Sequence, residues 1–263
     1  MSDSDVMTRR AEPPDLVLRY GDHPDQLVDV WLPLHRLGVQ RPAGLVAVLH
    51  GGFWRQEFDR IHVRPLANAL RDDGFAVAAI EYRRTGGAGG WPMTFDDVRT
   101  AVEWLPTALS SAAPGETETT MIALGHSAGG HLAMWAGLHS DTIRRVVALA
   151  PVADLYLAHR RRLGHGATAA LLGGGPSRFP DRYAAADVAR ALPGRVATTV
   201  IHGDQDRQVP VAMSRALRGV ALVELVGVGH FELIDPFSAA WPAVLSAVRQ
   251  SEQSGPGSSD PIG

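Results

Sequence analysis

Six apolar runs constrain this chain more than any other feature. Leu45–Leu49, Phe75–Ile80, Thr120–Leu124, Val146–Ala150, Val196–Ile201 and Val220–Val226 are rich in valine, alanine, leucine and isoleucine and show no polar alternation. A strand with one wet face alternates, whereas a strand buried on both faces reads as a continuous apolar run. Helical periods fill the intervals: Val98, Ala101, Val102, Leu105 and Leu109 behind a Thr94-to-Asp97 capping signal, the almost wholly apolar stretch Ala128–Leu138, and Trp241, Val244, Leu245 and Val248. Strands alternating with helices imply an α/β chain built on a mostly parallel, doubly wound sheet. Asp15–Tyr20 and Gln26–Leu32, joined by the turn-forming Gly21–Asp25, read as an N-terminal antiparallel hairpin with Val28, Val30 and Leu32 on one face.

Between Pro151 and Pro193 the pattern breaks into Arg160-Arg161-Arg162, the run Gly173-Gly174-Gly175 and a proline-punctuated stretch, so a small cap inserted over the strand ends is expected across residues 153–193. With 263 residues, 45% of them hydrophobic, the chain suits one domain spanning 15–250. Residues 1–14 are expected to be flexible, and 251–263, rich in serine, glycine and proline, to form a disordered tail.

Composition removes several chemistries. There is no cysteine, hence no disulfide, no thiolate nucleophile and no thiolate metal site. All 25 basic residues are arginine, so Schiff-base chemistry, pyridoxal chemistry and a Ser-Lys dyad are excluded as well. A net charge of -3 with both signs interspersed gives no basic face for nucleic acid or an anionic membrane. Met1–Pro14 is polar, and no apolar stretch is long enough to cross a bilayer, which sets the expectation of a cytoplasmic protein. The expected partner is a small molecule, and a homodimer is compatible with the sequence.

Three motifs stand just beyond strand ends, where open parallel sheets place their sites. Gly125-His126-Ser127-Ala128-Gly129 joins a strand to a helix, the form of a nucleophile elbow that exposes a serine on a tight turn. His50-Gly51-Gly52-Phe53-Trp54 follows the first parallel strand, placing the N–H groups of Gly52 and Phe53 to converge with that of Ala128 on a developing oxyanion. His202-Gly203-Asp204-Gln205-Asp206 and Gly229-His230 supply an acid and a base, so serine, acid and histidine follow in the chain order that this kind of sheet requires.

His230 is the best base because it follows the last strand within the permissive Gly227-Val228-Gly229. His126, His131, His139, His159 and His165 read as packing or loop residues, and no histidine–carboxylate spacing suggests a metal. Position alone leaves the acid open between Asp204 and Asp206. Arg160–Arg162 reads as a solvated face, and Gly86–Gly90, which lacks the lysine of a phosphate-binding loop, as a flexible loop.

On these motifs the chain from Asp15 to Gln250 resembles the α/β-hydrolase superfamily. Together with Gly130-His131, Val209-Pro210 and Phe231-Glu232-Leu233-Ile234, they are similar to the arylformamidase (kynurenine formamidase) and small-carboxylesterase branch. The resemblance implies a serine hydrolase without cofactor or metal, cleaving small esters or N-formyl and aryl amides through an acyl-enzyme. Its H-G-x-x-D-x-x-V-P pattern falls on Asp206 as the acid, and its H-G-G-x-W pattern supports the oxyanion assignment. Trp54, Tyr82, Trp91, Asp154 and Leu155 are the candidates for the substrate pocket. A peptidase of related fold and a non-catalytic small-molecule binding protein on the same scaffold are the alternatives.

Overall fold

A computed structural model describes residues 3–33, 44–113 and 121–250. Its eight-stranded sheet runs in the order β1-β2-β4-β3-β5-β6-β7-β8. The strands are β1 (Leu16–Arg19), β2 (Leu27–Trp31), β3 (Leu45–Leu49), β4 (Ala76–Ile80), β5 (Met121–His126), β6 (Ile143–Leu149), β7 (Ala197–Gly203) and β8 (Ala221–Leu225). β1 pairs antiparallel with β2, as does β2 with β4, and every later pairing is parallel. This is the expected α/β-hydrolase architecture with its N-terminal hairpin. Thr120 and the tail 251–263 lie outside the described residues.

The unalternating runs are explained by the two faces of the sheet. In β3, Leu45, Ala47 and Leu49 enter one hydrophobic core and Val46 and Val48 the other, and β4 divides Ala76, Ala78 and Ile80 from Val77 and Ala79 in the same way. The first core is closed by α3 (Met93–Ala112) and α4 (Ala128–His139), the second by α2 (Arg64–Asp72) and α10 (Trp241–Arg249). Removing each such leucine or valine from water contributes roughly 1.5–3 kcal/mol, so apolar side chains on both faces of a central strand are what hold it in the middle.

β8 departs from this expectation. It pairs only with β7 at the sheet edge, and Ala221–Glu224 are exposed; an apolar run signals a strand but not how many layers cover it. The Thr94-to-Asp97 pair does not cap α3 either. The helix starts at Met93, Thr94 Oγ1 accepts from Gly90 N–H and donates to Arg83 C=O, and Asp97 is buried against Arg83 and Gln26.

Between β6 and β7 lie four short helices, α5 (Leu155–Arg160), α6 (Leu163–Leu172), α7 (Pro180–Ala186) and α8 (Val188–Ala191). Arg160–Arg162 are exposed there. The N-terminal segment, expected to be flexible, includes a short helix, Asp3–Met7. Val6 is buried in the second core, and Arg9 pairs with buried Asp235 at 2.8 Å.

Candidate active site

Parallel register brings the C-terminal ends of β3, β5, β7 and β8 to one edge of the sheet, and the oxyanion loop, Ser127, Asp206 and His230 follow them in turn. Ser127 follows β5 with φ 57° and ψ −118°, a conformation that costs a non-glycine residue on the order of 1–3 kcal/mol and persists only when its surroundings enforce it. Here its N–H donates to Leu149 C=O at 2.8 Å, and its C=O accepts from His131 N–H at 3.1 Å and Val152 N–H at 3.2 Å. The first turn of α4 presses on β3 so closely that a Cβ at Gly129 would lie 2.0 Å from Leu49 O. Glycine at that position is therefore a packing requirement.

Asp206, beyond β7, is saturated with donors. Its Oδ1 accepts from the N–H groups of Gln208 and Val209, both at 2.8 Å, while Oδ2 accepts from His230 Nδ1 at 2.5 Å and from His202 Nε2 at 3.1 Å. Burial opposes ionisation, but the hydrogen bonds from His202 and His230, the charge of His230 and the Val209 N–H together hold its carboxyl well below the usual carboxylate range. Asp204, the other candidate acid, accepts instead from Gly227 N–H at 2.7 Å in an exposed turn.

His202 lay unread inside its motif. Its Nε2 faces two acceptors, Asp206 Oδ2 and Val209 C=O, so it must carry the proton, and Nδ1 accepts from Ser214 Oγ at 2.7 Å. The ring therefore acts as a fixed second clamp on Asp206.

The loop after β3 carries positive φ at Gly52 (105°), Phe53 (51°) and Trp54 (57°). Gly52 admits no side chain, since a Cβ there would meet Phe58 Cβ at 2.4 Å. Gly52 and Phe53 line a cavity of about 180 Å³ together with Ser127 and His230, and Ala128 is the first residue of α4 beside Ser127.

The rest of the cavity wall is Met7, Phe58, His62, His126, Gln208 and Phe231. None of the five residues expected to shape the pocket is among them. Trp54 is buried edge-on against His131, and Tyr82 stacks on His50 and donates to His50 C=O at 2.8 Å. Trp91 packs on Phe95, Asp154 caps α5 by accepting from Leu157 N–H, and Leu155 is buried with its N–H on Asp187. The three aromatics and Leu155 serve the core beneath the site and Asp154 a helix cap, and nothing in a linear pattern distinguishes those destinations from a pocket wall.

His126, expected to pack, also has a part in the site. Its Nε2 donates to the C=O of His230 at 3.0 Å, with the two rings 4.5 Å apart. Burial first, then the neighbouring charges of His230 and His62, push its pKa well below the usual histidine value. It stays neutral beside the His230 ring. Among the described residues there is no cluster of three metal-ligating side chains, and no helix is long and apolar enough to cross a membrane.

The chain is similar to several known proteins. The BD-FAE family model matches residues 28–220. Esterase LipC of Mycobacterium tuberculosis is 27% identical over 244 residues, covering 82% of this chain and 59% of LipC, so the chain spans less than two thirds of that relative. A monoacylglycerol lipase of Mycolicibacterium smegmatis is 30% identical over 226 residues, covering 72% of this chain and 78% of the lipase. A truncated carbohydrate esterase from gut microbiota shares the fold, with a TM-score of 0.74 at 18% identity over 90% of this chain and 98% of that one. With the family model matching most of its length, the chain belongs to the BD-FAE family, within the α/β-hydrolase superfamily.

Proposed function

We propose that this protein is a serine hydrolase of small carboxylic esters. Ser127 is the nucleophile, His230 the general base and then the general acid, and Asp206 the residue that fixes the His230 ring. The N–H groups of Gly52, Phe53 and Ala128 form the oxyanion hole. His230 Nε2 takes the Ser127 proton as Oγ attacks the ester carbonyl, and the negative oxygen settles on the three N–H groups. The protonated ring gives its proton to the leaving alcohol. Water, deprotonated by the same ring, then releases the acid from the acyl-enzyme. The wiring of His230 carries this reading: Asp206 takes Nδ1, and the ring lines the same cavity as Ser127.

The cavity, smaller than the ~300–1,000 Å³ clefts that hold drug-sized ligands, is walled by Met7, Phe53, Phe58 and Phe231. Its histidines are its only titratable side chains, so a short, uncharged, apolar acyl or alcohol group fits it best. The names of the curated relatives, an esterase and a lipase, favour esters over amides. The same machinery would remove a formyl group from an aryl amine, the finer reading that the motifs suggested.

Turnover of p-nitrophenyl acetate and butyrate beside N-formylkynurenine, with Ser127→Ala as the blank, tests both. Serine-dependent ester cleavage that exceeds deformylation is the expected result. Faster deformylation would make the protein a formamidase, and a fully active blank would remove Ser127 as the nucleophile.

A further inference from the structure

A second histidine–carboxylate pair lies beneath the oxyanion loop, buried and unused by the mechanism above. Glu81, one residue past β4 and 2% exposed, receives His50 Nε2 at 2.8 Å. Its remaining acceptor sites take the N–H groups of Tyr82 and Arg60, each at 3.1 Å, and Arg84 at 3.2 Å. Burial alone would raise its pKa, but the His50 charge and hydrogen bond, with Arg84 and the Arg60 N–H, bring it down to about 2. Glu81 is a carboxylate.

His50 is wired differently from a base. Its other nitrogen, Nδ1, contacts Gly51 C=O at 2.8 Å. A carbonyl and a carboxylate both accept, so both ring nitrogens donate and the ring is an imidazolium. The Gly51 carbonyl belongs to the same peptide unit as the Gly52 N–H, the proposed oxyanion donor. A cationic donor on the oxygen of an amide withdraws electron density from its nitrogen and makes that N–H a stronger donor.

The other two proposed donors have the same arrangement with neutral partners. Gly52 C=O, on the Phe53 peptide, accepts from Arg55 N–H at 3.0 Å, and Ser127 C=O, on the Ala128 peptide, accepts from His131 and Val152. Only the Gly51–Gly52 peptide is polarised by a charged group. Its ring is held in place by stacking on Tyr82 at 4.4 Å and by the Tyr82 hydroxyl on the His50 carbonyl.

We infer that Glu81 and His50 are positioning residues that charge the Gly51–Gly52 peptide, strengthening the Gly52 N–H at the moment negative charge develops on the substrate oxygen. This rests on the reading of Ser127 as nucleophile and Gly52 as oxyanion donor. The pair acts only through the Gly52 N–H, whose stronger donation counts most once negative charge has developed on the substrate oxygen, so its effect falls on kcat and not on KM.

Two variants test it on the full-length protein. Glu81→Gln keeps an acceptor for Nε2 but removes the charge that holds the second proton on the ring. His50→Asn substitutes a neutral amide donor and leaves the contacts of Glu81 to Arg60 and Arg84 in place. For each we expect kcat to fall about tenfold with KM unchanged, a fraction of what one oxyanion donor is worth. The affinity of a trifluoromethyl ketone, which forms an oxyanion on Ser127, should fall by the same factor, and the double variant should be no worse than the poorer single one.

Unchanged kcat and unchanged ketone affinity in His50→Asn, folded by circular dichroism, would overturn the inference, as would a loss carried by KM alone. Full activity of Ser127→Ala would instead overturn the hydrolase reading on which it rests.

Discussion

Two histidine–carboxylate pairs stand on either side of β5 in this sheet, His230–Asp206 beyond β7 and β8 and His50–Glu81 beyond β3 and β4. Both are buried, and both join an imidazole to an ionised carboxylate. What separates them is the second ring nitrogen. In His230 one nitrogen is fixed by Asp206 and the ring lines the Ser127 cavity, so a proton can be taken up and returned. In His50 the second nitrogen is spent on a backbone carbonyl, leaving no lone pair to act as a base. The identity of a pair therefore does not settle its role; the partner of the remaining nitrogen does.

The comparison breaks most sharply on the carboxylates. Asp206→Asn should lower kcat by about 10⁴, because the amide no longer fixes the useful tautomer or stabilises the imidazolium. Steady-state kinetics beside Glu81→Gln, expected to lose only about tenfold, measures the difference; equal losses would mean that the pairs do the same job. The oxyanion side is probed next by Gly52→Ala, which strains a φ of 105° and drives a methyl to within 2.4 Å of Phe58. We expect at least ~1–3 kcal/mol lost in denaturant unfolding, together with a kcat loss, whereas unchanged stability and kcat would show that the loop tolerates a side chain.

Two further buried, neutral histidines, His62 and His131, give a pH test. Burial, and then the charge of His50, lower the pKa of His62 to about 3, and burial lowers that of His131 to about 4. Below the ordinary histidine value the unfolded chain takes up protons that these native rings refuse. Their contribution is complete above about pH 6.5 and is lost as the pH falls towards 4, at about 1.4 kcal/mol per pH unit for each ring. Denaturant unfolding at pH 7 and pH 5 should show lower stability at pH 5, and equal stability would contradict the assignment. The smallest effect is expected at His202. His202→Gln should reduce kcat only a few-fold, because Asp206 keeps its two backbone donors; a loss comparable to that of Asp206→Asn would promote His202 from clamp to essential partner.

How much was legible in the sequence follows from what each signal measures. Apolar runs report burial, and they located β3 to β7 within a few residues because those strands are covered on both faces. The same signal overstated the cover on β8, where the edge leaves Leu222 and Val223 exposed. Ser127 and His230 were singled out by short motifs tied to strand ends, whereas Asp206 was singled out over Asp204 only by the family resemblance.

The cavity wall was not readable. Met7, Phe58 and His62 come from a short helix, a loop and a tight turn that meet the site only through tertiary packing, and no periodicity marks them. Glu81 carries a usable signal, an acidic residue immediately beyond a buried strand, the same kind of position that singles out Ser127.

The most direct test of the central claim is the site of covalent labelling by a fluorophosphonate, read by peptide mass spectrometry on the wild-type protein and on His230→Ala. The account predicts one adduct, on Ser127, formed far more slowly without His230. An adduct on another residue, or labelling of Ser127 at the same rate in both proteins, would contradict it.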